Sequence, residues 1–169
     1  MNATQKQARR IAICGMLLAL MLVLGFVESQ LPVAAGIPGV KLGLSNGVLI
    51  FAVYMLNVPT AYLLMGLKVL LSGMLFGSPS AMMYAFAGGL LSMIFMCLLS
   101  RIKGVHVVVV SMVGGLMHNV GQVGLAMVML STPKLMYYMA ILMVVGLGCG
   151  ALTGVCADSV MKHLKKMRK

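Results

Sequence analysis

Only two of the 169 residues are acidic, Glu28 and Asp158, and tryptophan is absent. With so few carboxylates there is no acid pair for general acid–base chemistry and no acid relay for proton coupling. A GxSxG elbow, a glycine-rich phosphate loop and a Cys/His nucleophile arrangement are missing too, so the chain is expected not to be an enzyme. The four cysteines, Cys14, Cys97, Cys149 and Cys156, lie inside apolar runs with no CxxC pair. They read as small apolar residues, not as a disulfide framework or metal ligands. No histidines, cysteines and acids stand at ligand spacing, so neither a metal nor a cofactor is expected.

What is present is apolar. Hydrophobic residues make up 62% of the chain and charged ones 9%, with a mean hydropathy of +1.08. Such a composition belongs to a polytopic membrane protein and excludes a soluble domain. A net charge of +11 would otherwise suggest nucleic acid. Here the cations sit at segment ends with no basic, aromatic-interleaved face, so the expected surroundings are a lipid bilayer, without nucleic acid. The nineteen methionines scatter around helix faces as packing residues.

Six spans are expected in a single transmembrane domain: about 11–27, 42–56, 60–76, 80–99, 105–130 and 135–155. The first follows a polar, basic start, MNATQKQARR. It is too long for a signal-peptide core and is read as a retained helix. Between the first two spans, ESQLPVAAGIPGVK (Glu28 to Lys41) is too polar to span and too apolar for a free linker. An outer, lid-like loop is expected there. The fifth span is long enough to tilt or to break at Gly114 and Gly115. The sixth carries Gly146, Gly150 and Gly154 at intervals of four, a stripe for close helix packing.

Charge placement orients the bundle. Ten cations (Lys6, Arg9, Arg10, Arg101, Lys103, Lys162, Lys165, Lys166, Arg168 and Lys169) fall on the side of the termini and two, Lys41 and Lys134, on the other. By the positive-inside rule both termini are cytoplasmic in a multi-pass protein of the bacterial plasma membrane.

Two anomalies interrupt the apolar text. In the fifth span Gly114, His118, Gly121 and Gln122 share a helical face, with Asn119 beside them. One reading makes Asn119 and Gln122 interhelical hydrogen-bond glue. In the third span Lys68 lies near the centre, where a charged lysine costs about 2.5–3.5 kcal/mol. Neither acid is expected at its depth, so it either snorkels outward, bonds backbone carbonyls, or serves a ligand. The sharper reading joins Lys68, His118, Asn119 and Gln122 in a site for an anionic or strongly polar small molecule taken from outside. Ser45, Asn46, Tyr84 and Lys41 extend that candidate site.

The segments PGVKLGLSN (Pro38 to Asn46), FGSPS (Phe76 to Ser80) and HNVGQ (His118 to Gln122), with the lysine-bearing third span, carry a family resemblance. The chain resembles the bacterial membrane family filed as "heptaprenyl diphosphate synthase component I", also called the Gx transporter family. That family is similar to the substrate-binding S components of energy-coupling factor (ECF) transporters, which are six-helix membrane proteins. The resemblance implies an all-α bundle that captures a vitamin-, flavin- or prenyl-related metabolite. It also implies docking onto a transmembrane coupling subunit driven by two ATPase subunits. An AxxxA docking stripe on the first helix corresponds loosely to Ala8, Ala12, Gly15 and Ala19. Prenyl synthases hold magnesium with Asp-rich motifs, and this chain has one aspartate. It cannot do that chemistry alone. A non-catalytic subunit beside a soluble prenyl synthase is the alternative, and a stand-alone secondary carrier is the third reading.

Overall fold

The computed structural model describes residues 2–30 and 43–167. Six helices follow one another: α1 (Ala3–Gln30), α2 (Asn46–Met55), α3 (Val58–Phe76), α4 (Pro79–Ser100), α5 (Val107–Leu130) and α6 (Leu135–Met167). Among the described residues all regular structure is helical, in keeping with the expected all-α bundle. Of the loop expected over Glu28 to Lys41, only residues 28–30 are described, and they are the last turn of α1. Lys41, Arg168 and Lys169 lie outside the described residues.

Short polar residues start the helices. The Asn57 side chain accepts from the Thr60 amide at 2.9 Å ahead of α3, and Ser78 accepts from Ala81 at 3.2 Å ahead of α4. Each helix also has a proline in its first turn, Pro59 and Pro79, where a missing N–H costs nothing. His106 caps α5 through Nδ1 to the Val108 amide at 3.3 Å. Ser131, in the left-handed region at φ 49°, ends α5.

Five helices are long and apolar enough to cross a membrane: α1, α3, α4, α5 and α6. The second expected span differs, because helix forms only over Asn46–Met55. Ten residues rise about 15 Å, half of a typical hydrocarbon layer. Burial explains how so short a helix is kept, since Asn46 to Ile50 and Ala52 are enclosed by other helices. At the other end, α6 runs past the expected Val155 to Met167. Its 33 residues give a rod of about 50 Å, so its last turns extend beyond the apolar layer. There Asp158 meets Lys162 at 2.7 Å and His106 Nε2 at 3.8 Å.

Helices α1, α3, α4, α5 and α6 touch in that order, and α2 contacts all five from within. Contact between α1 and α6 is all but lacking, so the ring is open on that side. Large apolar side chains such as Leu63, Leu70, Met74, Phe86, Val128 and Val144 cover the outside, a surface suited to lipid.

Glycine sets the closeness of the tightest contacts. Helix α5 is continuous through Gly114 and Gly115, so these residues do not break it. They let neighbours in: a Cβ on Gly115 would collide with the Gly146 carbonyl, and one on Gly114 would lie 2.6 Å from Met96 Sδ. The Gly146, Gly150, Gly154 stripe faces α5, and a Cβ on Gly150 would sit 2.6 Å from the Ser111 carbonyl oxygen. Backbone cannot give way as a flexible side chain can. Gly150→Ala is therefore expected to destabilise the detergent-solubilised chain by about 1–3 kcal/mol in thermal unfolding. Gly148→Ala, on the same helix with nothing within 4 Å, should be neutral or stabilising by up to about 1 kcal/mol. Equal effects would refute the close α5–α6 contact.

Candidate functional site

The turn that starts α2 is where the polar residues gather. Gly43 has φ +84°, a region open to glycine. A Cβ there would lie 2.9 Å from both Asn46 Nδ2 and His118 Cδ2, so the turn rests directly on the His118 ring. One helical turn along α5, Gln122 hydrogen-bonds His118 side chain to side chain, as the i, i+4 spacing allows. From α4, Gly88 closes on the same pair, since its Cβ would lie 2.6 Å from Gln122 Cγ and 3.1 Å from His118 Nδ1. Ser45, Asn46, His118 and Gln122 are all buried.

Glu28 holds this turn in place. Its Oε1 accepts from the Leu44 amide at 2.6 Å, across sixteen residues of sequence. A carboxylate on a backbone N–H makes a short, charge-assisted bond. It satisfies the Leu44 amide just ahead of α2, while the first amides of α2 itself bond backbone carbonyls, Asn46 to Gly43 at 2.9 Å and Gly47 to Leu44 at 3.2 Å, and the Ser45 side chain makes no cap bond. Ser45 Oγ and Asn46 Nδ2 are buried with no hydrogen-bond partner among the described residues.

Lys68 is buried as well, and its side chain runs toward the same end. Arg10 donates to Thr60 Oγ1 at 2.6 Å, which sets α1 and α3 side by side at their starts. Measured from there, the Lys68 Cα is about 12 Å up α3 and Gly25 about 22 Å up α1. Yet a Cβ on Gly25 would lie 3.8 Å from Lys68 Cε. The methylene stem therefore carries the ammonium toward the Glu28 end, as snorkelling lysines do. Gly25 and Glu28, three residues apart, share the buried face of α1. That revises the expectation that neither acid stands near the depth of Lys68, because the ammonium and not the Cα sets the relevant depth.

The remaining candidates lie apart from this turn. Asn119 points to α6 and donates to the Leu142 carbonyl at 2.5 Å, the geometry of interhelical glue. Tyr84 is buried in an apolar cluster with Val123, Ala126, Leu135 and Leu142, one turn along α4 from Gly88. Ala8, Ala12, Gly15 and Ala19 are all exposed on α1. No group of three or more His, Cys, Asp or Glu side chains that could hold a metal occurs among the described residues.

Glu28 and Gly88 were missed at the level of sequence. Glu28 reads there as a charge at the mouth of a span, and only the return of the chain at Leu44 gives it a role. Glu28→Ala strands a buried amide and is expected to cost about 1–3 kcal/mol of stability. Glu28→Gln, which still offers an oxygen, should lose less. Thermal unfolding of both variants in detergent checks this, and equal losses would show that the Leu44 bond is unimportant.

No curated protein and no solved structure matches the chain. The family described as "Heptaprenyl diphosphate synthase component I" matches residues 17–160, a stretch that takes in every residue of the turn, its helical neighbours and Lys68. The chain belongs to the heptaprenyl diphosphate synthase component I family.

Proposed function

We propose that this chain is the ligand-binding membrane subunit of an importer, similar to an ECF S component, and that it captures a small polar or anionic metabolite from outside. One observation carries the reading: Ser45 and Asn46 keep polar atoms buried and unpartnered among the described residues, beside His118 and Gln122. A buried polar group left unmade costs about 1–3 kcal/mol, a cost that a bound ligand removes. Lys68, directed toward the same end, supplies positive charge for an anionic group. Asn46, Ser45, His118, Gln122 and Lys68 are the proposed contacts, with Lys41 from the preceding segment.

Six crossings fit this reading. The Glu28–Leu44 and Arg10–Thr60 bonds tie residues 44–60 to α1 at points eighteen residues apart, about 27 Å along its axis. In this reading the second segment crosses the bundle, with helix over Asn46–Met55 and non-helical residues at 44–45 and 56–57. The exposed small residues Ala8, Ala12, Gly15 and Ala19 on α1 offer a face for a coupling subunit that docks with two ATPases. The family description favours a second reading, a non-catalytic membrane subunit beside a prenyl synthase.

Lys68→Ala is expected to weaken ligand binding by about ten- to a hundredfold, the value of one hydrogen bond to a charged group, while the protein stays folded in the membrane. Native mass spectrometry of both proteins, extracted in mild detergent from their own membranes, reads this directly. A small-molecule adduct lost in the variant supports the importer. An adduct of equal occupancy in both sinks the site, and a bare chain bound to a soluble prenyl synthase favours the second reading. For topology, a cysteine at Lys134 should react with an impermeant maleimide on intact cells and one at Lys103 only after permeabilisation. The reverse pattern would overturn the orientation.

A further inference from the structure

The opening between α1 and α6 is a groove of about 410 Å³ floored by α2. Leu20 and Leu24 form one wall, Leu152 and Val160 the other, and Val48 and Phe51 the floor. Among the described residues no charged side chain lines it, and Thr153 supplies the one hydroxyl. That hydroxyl donates to the Cys149 carbonyl at 2.9 Å and stands 3.3 Å from Ser111 Oγ, so its hydrogen bond is made within the protein. The groove asks for hydrocarbon.

Its size says which kind. One turn of helix with its side chains is about 10 Å across and 5.4 Å long, roughly 420 Å³, so a partner helix would seat no more than a turn. At about 30 Å³ per carbon, close to the volume share of a water molecule, the groove holds about fourteen chain carbons. Such a volume also falls within the usual range for small-ligand sites. At one end of the floor stands Leu44, whose amide is the group bound by Glu28. The apolar groove therefore begins where the polar turn ends.

We infer that the groove receives the single hydrocarbon chain of an amphiphilic ligand, whose polar head lies at the Gly43–Asn46 turn and which enters sideways from the bilayer between α1 and α6. The inference rests on the reading of that turn as a binding site and narrows its ligand to a single-chain lipid-like molecule. A wholly water-soluble metabolite would leave the groove unused.

The test is photolabelling of the full chain in phospholipid nanodiscs with three diazirine probes: farnesol, palmitic acid and a diacyl phospholipid. Peptide mapping should place a single-chain probe on Leu17–Leu24 and Leu152–Val160 about tenfold above the lipid-facing surfaces of α3 and α4. Whether farnesol or palmitic acid labels better identifies the chain as isoprenoid or acyl. Val160→Trp and Leu152→Trp, both at half-exposed positions that tolerate bulk, should each abolish the enrichment by filling the groove. Uniform labelling of the apolar surface, or phospholipid labelling equal to that of the single-chain probes, would overturn the inference. The two proposals separate by outcome, because loss of the adduct in Lys68→Ala tests the polar turn while groove labelling of the unsubstituted chain tests the hydrocarbon chain. An adduct without groove labelling would leave the binding subunit standing and refute the hydrocarbon chain.

Discussion

A single carboxylate from α1, bonded to the Leu44 amide, solves the hardest local problem of this bundle. Away from water a free backbone donor is costly, and the Leu44 amide in the turn ahead of a short helix buried among five others would be one. Glu28 removes that cost from a distance of sixteen residues. The turn so anchored lays Gly43 against the His118 ring and buries Ser45 and Asn46.

A second constraint acts on the other side of the molecule. Helices α4, α5 and α6 approach so closely that glycine is required at Gly88, Gly115, Gly121, Gly146 and Gly150. Without a hydrophobic driving force between helices in lipid, this contact has to come from dispersion and from hydrogen bonds such as Asn119 to Leu142. The rigid α4–α5–α6 wall presents His118 and Gln122, while α1 packs mainly on α3 and leaves the lateral groove. Tight packing on one side and an open seam on the other give the bundle its polarity.

The two polar anomalies of the sequence have different fates. His118 and Gln122 do pair and do face the turn. Asn119, their neighbour, belongs to the α6 contact, because a helix sends adjacent residues about 100° apart. For Lys68, the position of the Cα misleads, since a long stem moves its charge about one turn along the bundle. Residues on one helical face were legible from spacing alone. Which neighbour each face meets was not.

Composition and periodicity by themselves determined an all-helical membrane protein, the starts of α3 to α6 to within about two residues and the small-residue stripe on α6, whereas α1 begins at Ala3 and not near residue 11. These are local properties, set by hydropathy, capping residues and glycine spacing along one segment. The tertiary structure decided that the second apolar segment is a ten-residue helix at the centre. It also decided that Glu28 serves that helix, and that α1 and α6 stay apart over an apolar groove. Each of these depends on residues far apart in the chain meeting in space, and no pattern within a single segment encodes the partner across the gap.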